Sequence, residues 1–262
     1  GSGRKNAQGR LDHGGAWRSS SAWPLPSTKW RSFILGPEGT LRQHEDADSR
    51  MPVFPETRIS YRFDPSDPVP SIGGTITSGE PIMRGGAFDQ TEDPKFFGSK
   101  PPYLPLASRP DVLVFETEAL ERDLEVTGPV KLLLKVSSDC PDTDFTFKLV
   151  DLYPPSPDYP RGFAMNLTDG ILRARYRDSW ENPSPLETGR LYEISIEAFP
   201  TSNLFLKGHR IRLDISSSNF PHFDVNPNTG EPEAMARSFR VATNTVQLGG
   251  VDPSRLILPI IP

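Results

Sequence analysis

A single cysteine, Cys140, stands among 262 residues, so an internal disulfide framework is excluded and no oxidising compartment is called for. Apolar runs are short: nothing approaches the roughly 18 consecutive apolar residues of a membrane-spanning helix, and no membrane partner is expected. Positive charge is scarce. Against 34 Asp and Glu there are 29 Lys and Arg, a formal net charge of -5, which argues against nucleic acid as a partner. Gly1–Arg10 has no apolar stretch of the signal-peptide kind, and the expected compartment is the cytoplasm. No His or Cys set has zinc spacing, so neither a metal nor a cofactor is expected. The string Gly-x-Ser-x-Gly, which strains a nucleophilic serine at a strand-to-helix turn, does not occur in the chain, and neither does the alternating β/α pattern that accompanies it.

What is abundant is proline, 29 residues, and glycine, 21. They punctuate short apolar runs without forming a repeat, which favours a turn-rich all-β fold. Trp30–Leu35, Arg58–Phe63, Asp111–Phe115, Val130–Val136 and Phe145–Asp151 read as strands, and so do Ile171–Arg177, Leu191–Phe199, Ile211–Ile215, Phe239–Thr243 and Arg255–Ile260. Glu118–Asp123 and Glu233–Arg237 read as isolated helical turns, 42–50 as a charged loop and 76–110 as a long surface connection. This pattern predicts a tail over 1–16 and a two-sheet sandwich of the jelly-roll type over 17–262.

Gly208–Gly230 opens as a strand and breaks into a polar loop carrying Phe220, His222 and Phe223. Rings in a turn-former loop are not explained by core packing alone. They are candidates for an interaction surface at one end of the sandwich, with at least one ring partly exposed. Trp17, Trp23 and Trp30 sit among prolines at the entry to the domain; Trp17 and Trp23 read as a hinge between domains, with a sugar-stacking platform as the alternative. Asp139, Asp142 and Asp144 lack calcium-loop spacing and read as turn caps. Arg173, Arg175 and Arg177 read as one solvated strand face. His13 and His44 read as loop residues, and His209 as a partner of a turn or neighbouring strand.

Four strings, YRFDPSDPVPSIGG (61–74), RPDVLVFETEAL (109–120), VTGPVKLLLKVSSDCPDTDFTFKLVDLYP (126–154) and GHRIRLDISSSNFPHFDVNPNTG (208–230), occur in an order that resembles one family. They are similar to the C-terminal jelly-roll domain of the cocaine esterase and X-prolyl dipeptidyl peptidase serine hydrolases, a galactose-binding-like fold. The proline-rich Tyr153–Pro160 departs from the acidic, glycine-containing turn usual there. The resemblance implies a non-catalytic accessory domain. Its partner would be an α/β-hydrolase domain of the same polypeptide, carrying the Ser–His–Asp triad, and this chain alone would be inactive. Phe220, His222, Phe223, Trp17 and Trp23 would then lie at the domain interface or border the cleft. A free-standing carbohydrate-binding module is the alternative, and homo-oligomerisation stays open.

Overall fold

A computed structural model describes residues 2–44, 55–75, 77–232 and 235–262. Its strands are β1 (Lys29–Leu35), β2 (Leu41–His44), β3 (Thr57–Phe63), β4 (Leu113–Glu116), β5 (Leu124–Ser138) and β6 (Asp144–Tyr153). They continue as β7 (Phe163–Arg173), β8 (Tyr192–Phe205), β9 (Arg210–Ser216), β10 (Ala242–Leu248) and β11 (Arg255–Ile261). Two antiparallel sheets form a sandwich: a large one ordered β2-β1-β11-β5-β10-β3, with β8 beside β5, and a small one ordered β4-β9-β6-β7. The period-2 alternation of β5, β6 and β9 puts Leu132, Leu134, Phe145, Phe147, Leu213 and Ile215 into one core between the sheets. At one side the sheets nearly touch: Thr168 Oγ1 donates to the Phe199 carbonyl at 2.7 Å, and a Cβ on Gly170 would lie 2.9 Å from the Glu197 carbonyl oxygen.

β5 serves three partners. β8 takes one of its edges over Leu124–Val136. The other edge is shared end to end, β11 pairing with Glu125–Leu133 and β10 with Lys135–Ser138. At the junction Ser254, 1% exposed, accepts from the Lys135 N–H at 3.0 Å and donates to the Gln247 carbonyl at 2.7 Å.

The outward face of the small sheet is polar yet buried. Asp214, Lys148 and Asp169 face one another in register across β9, β6 and β7, all of them buried. The Arg212 guanidinium grips Asp214 with two bonds of 2.7 Å. Over this row lies the connection 64–112, which carries its own apolar cluster of Val69, Ile72, Phe96, Leu106 and Val112. Gln90 fastens it: its carbonyl oxygen accepts from Lys148 Nζ at 3.1 Å while its amide donates to the Ile72 carbonyl at 2.8 Å. Burial pushes the Lys148 ammonium down to about 8, against the pull of Asp169 and Asp214.

Several expected boundaries move. β7 begins at Phe163, well before Ile171, because Asn166, Thr168 and Asp169 are polar residues on a covered face and blur the alternation. β10 overlaps the expected Phe239–Thr243 only at Ala242 and Thr243 and runs on to Leu248, and Arg42–His44 of the expected charged loop belong to β2, while 45–50 fall outside the described residues. Glu118–Asp123 is irregular, not helical; Glu233 and Ala234 of the other expected helical turn fall outside the described residues. The expected tail holds a hairpin, with Gly3 N–H to the Asp12 carbonyl at 3.0 Å and Asp12 N–H to the Arg4 carbonyl at 2.8 Å. Leu11 drives it, burying its side chain against Tyr153, Phe163 and Met165.

Two outcomes follow for stability. Ser254→Ala removes one hydroxyl and strands a buried N–H and a buried carbonyl, so urea denaturation is expected to give a loss of about 1–3 kcal/mol. For Lys148, the unfolded side chain keeps its proton up to 10.5 while the folded one releases it near 8. Between those values the unfolded chain binds more protons, so stability rises with pH in that window. The difference in unfolding free energy between wild type and Lys148→Met should therefore shift in favour of wild type from pH 7.5 to 10, by up to about 3 kcal/mol. A pH-independent difference would refute the depressed lysine.

Candidate functional site

Beyond β9 the chain enters the loop with Phe220, His222 and Phe223, and its first residues are not free turn formers. Ser217 Oγ meets Tyr61 Oη at 2.8 Å and accepts from Asn244 Nδ2 at 2.8 Å. Ser218 Oγ accepts from the Val69 N–H at 2.9 Å, and Asn219 Oδ1 accepts from Ser71 Oγ at 2.9 Å. The Ser71 and Phe220 amides complete a short parallel bridge, donating to the Phe220 and Val69 carbonyls at 2.7 and 2.9 Å. Buried serine and asparagine side chains thus weld this loop to the 64–112 connection.

The three candidates come together here. Phe220 and Phe223 are each half-buried, as expected of rings in a surface loop. His222 stacks on Phe223 with centroids 4.1 Å apart and 15° between planes, and its Nδ1 lies 3.2 Å from Asp169 Oδ1. Phe220 leans on Phe97, 5.8 Å between centroids, and Phe97 is 45% exposed. Phe97 went unread because the stretch 76–110 has no periodicity; only the Lys-Phe-Phe triplet hinted at it.

Trp17 and Trp23 do not join this cluster. Trp17 is fully exposed, Trp23 is 55% exposed, and among the described residues no ring contact links either to the Phe220–Phe223 loop. They lie in the irregular segment 12–28 that leads into β1. The segment is tied down by Arg18, which donates to Glu125 on β5.

Further along the loop, Asn226 Nδ2 donates to Asp142 Oδ2 at 2.8 Å and to Asp144 Oδ1 at 2.7 Å. Arg175 donates its backbone N–H and Nε to Asp142 at 2.9 and 2.7 Å, and Arg173 grips Asp144 at 3.0 and 3.1 Å. Burial pushes the Asp144 carboxyl up to about 6 even so. The expected solvated arginine face is therefore corrected. The chain leaves β7 at Ala174 in a 3-10 turn, which sends Arg175 inward. Arg177 bonds the Ser184 carbonyl at 2.6 Å instead. Asp139 does not cap a turn as expected: it accepts from the Thr243 N–H of β10, 104 residues away, at 2.8 Å. Among the described residues no three His, Cys, Asp or Glu side chains group as a metal site. His209 is buried, its Nδ1 2.8 Å from Asp151 Oδ1 on the adjacent β6.

A separate cleft of about 790 Å³ opens between the N-terminal hairpin, the segment 85–96 and the β6–β7 loop. His13 is at its rim. Its floor holds Asp89, whose oxygens accept from the Ala164 N–H and from Thr91 Oγ1, both at 2.8 Å. Asp93 is held below the usual carboxylate range chiefly by the Lys95 backbone N–H.

Comparison with known proteins completes the picture. The family model described as the X-Pro dipeptidyl-peptidase C-terminal non-catalytic domain matches residues 4–257. Cocaine esterase of Rhodococcus sp. (strain MB1 Bresler) is 40% identical over 251 residues, covering 94% of this chain and 40% of that protein. A putative Xaa-Pro dipeptidyl-peptidase of Bacillus cereus is 24% identical over 83% of this chain and 37% of its own length. Among solved structures, an aminopeptidase from the marine sediment archaeon Thaumarchaeota archaeon superposes with a TM-score of 0.76 at 29% identity, over 94% of this chain and 39% of that one. An α-amino acid ester hydrolase gives a TM-score of 0.71 at 26% identity, over 97% of this chain and 39% of that one. The chain thus spans about two fifths of the length of these relatives. With its two-sheet sandwich and a match that runs almost end to end, it belongs to the family of X-Pro dipeptidyl-peptidase C-terminal non-catalytic domains.

Proposed function

We propose that this chain works as the accessory domain of a serine hydrolase cleaving ester, amide or X-prolyl peptide bonds, packing against an α/β-hydrolase domain of the same polypeptide and bordering its cleft. The observation that carries this reading is the near-complete match to a non-catalytic domain in a chain that spans only about 40% of its hydrolase relatives. The half-buried rings of Phe220 and Phe223, with Phe97 and His222 beside them, supply a surface for that packing. Trp17 and Trp23, exposed on the segment that leads into β1, supply a second. Aromatic side chains suit both because they bury much area at little entropic cost. No chemistry is assigned to the domain itself. His209 Nδ1 bonds the Asp151 carboxylate at 2.8 Å, and His222 Nδ1 lies 3.2 Å from Asp169, so the ring nitrogen nearest a partner faces a carboxylate and not a serine in both.

Two experiments test this. The 262-residue chain is expected to leave p-nitrophenyl esters and X-Pro chromogenic peptides unhydrolysed and its serines unlabelled by a fluorophosphonate probe. Stoichiometric labelling of one serine would overturn the accessory reading. In a complete hydrolase carrying this domain, Phe97→Ala is expected to weaken docking by about 1.5–3 kcal/mol, the worth of one buried ring. It would be seen as lowered activity and earlier release of the domain on heating. In the chain alone the same change should cost well under about 1 kcal/mol, because the ring is partly exposed there.

A further inference from the structure

Asn166 and Asp169 stand three residues apart on β7, a spacing that normally sends strand side chains to opposite faces. A bulge in the β6–β7 pairing changes this. Lys148 faces Asp169, Leu149 faces Thr168 and Val150 faces Asn166, so Leu167 is passed over. Both side chains therefore share the outward face of the small sheet, where Asn166 is 6% exposed and Asp169 2%. The Asn166 carboxamide lies beside one oxygen of the carboxylate, Nδ2 to Oδ2 3.3 Å, and the His222 imidazole beside the other, Nδ1 to Oδ1 3.2 Å. The Gly73–Gly74 turn borders the same space with no side chain: a Cβ on Gly74 would stand 3.6 Å from Asp169 Oδ2 and 3.8 Å from Asn166 Nδ2.

These donors are underused. Among the described residues, Asp169 Oδ1 and Asn166 Oδ1 accept no hydrogen bond, although both are shielded from solvent. Such oxygens are costly to leave bare. Lys148, opposite on β6, directs its ammonium to Gln90. The His222–Asp169 contact is longer than the 2.8 Å of His209 and Asp151. It matches instead two ligands of one metal ion, since bonds of about 2.0–2.2 Å at tetrahedral or octahedral angles set neighbouring donors about 3.0–3.4 Å apart.

We propose that Asp169, His222 and Asn166 bind a divalent transition-metal ion of the zinc class, the carboxylate holding it between the imidazole nitrogen and the carboxamide oxygen. A half-turn of the Asn166 amide exchanges its nitrogen and oxygen and brings the oxygen to the carboxylate. An imidazole among the ligands suits Zn²⁺, Co²⁺ or Ni²⁺ better than Ca²⁺, which takes oxygen ligands. The ion pins the loop after β9 to β7, and with it the Phe223 ring that stacks on His222.

Calorimetric titration of the metal-free 262-residue chain with zinc chloride, and cobalt chloride titration followed by visible absorption, test this. One equivalent is expected to bind, Co²⁺ to show the bands of a nitrogen-and-oxygen site, and Zn²⁺ to raise the melting temperature, because only the folded chain assembles the ligands. His222→Phe keeps a ring on Phe223 and removes the nitrogen ligand. It is expected to abolish the bands and to cost more than the roughly 10–100-fold in affinity of a lost outer-shell partner. His13→Ala and His44→Ala are expected to bind as wild type does, which separates the site from surface coordination. A readout that needs no variant is the NMR spectrum, where Zn²⁺ is expected to shift the His222 ring resonances. Absence of saturable Zn²⁺ binding at about 0.1 mM would overturn the proposal. So would Co²⁺ bands that survive His222→Phe, or Zn²⁺ shifts confined to His13 and His44.

Discussion

Lys148 is an ammonium on a strand whose other face is the apolar core, and much of the molecule is arranged to make that position tolerable. Taking a charge out of water costs several kcal/mol unless partners replace the solvent. Asp214 and Asp169 supply them from the strands on either side, in register. Arg212 already occupies the fork of Asp214, so the lysine still needs an acceptor from above, and Gln90 provides it. The long connection 64–112 is therefore bonded to the sheet it covers, with its own apolar cluster on top. A slip of β6 by one residue would drive the ammonium into the core, so the same charge that is costly to bury also fixes the register.

The ring surface inherits its placement from that layer. Asp169 closes the charge row and also meets His222, whose imidazole carries the Phe223 ring in a parallel stack. Ser217, Ser218 and Asn219 hold the start of the loop by side-chain bonds to β3, β10 and the 64–112 connection. Asn226 holds its far end by bridging two carboxylates that arginines already neutralise. A loop fixed at both ends presents Phe220 and Phe223 in one pose, which lowers the ordering cost of any docking event.

The inward halves of the strands were readable because alternation against a hydrophobic core is a strong, local signal: Phe145, Phe147, Ile211, Leu213 and Ile215 are where their spacing puts them. The outward halves were not. Lys148, Arg212 and Asp214 carry the residue types of a solvated face, and only the tertiary cover of a segment far away in sequence makes them interior. Arg173 to Arg177 misled for a related reason, since alternation continues in the sequence after the backbone has turned out of the strand. Phe220 and Phe223 could be singled out because rings in a loop of Ser, Asn and Pro are conspicuous. Their neighbour Phe97 could not, because which ring meets which depends on how the 64–112 connection folds back. The hairpin at the N-terminus was missed because its anchor is one leucine, too little for any periodicity.

Where β10 gives way to β11 along one edge of β5, the large sheet contains the protein counterpart of a lattice dislocation. Two rows of strand end against a single continuous one, and a defect of this kind would ordinarily leave dangling rungs. Ser254, just ahead of β11, closes it with one oxygen that accepts from the continuous strand β5 and donates to β10. The defect lets a fifteen-residue strand adjoin two shorter neighbours without either having to match its length. The bulge in the β11 pairing between Ile257 and Ile260 is therefore not passed on to β10, whose register with the far end of β5 runs unbroken.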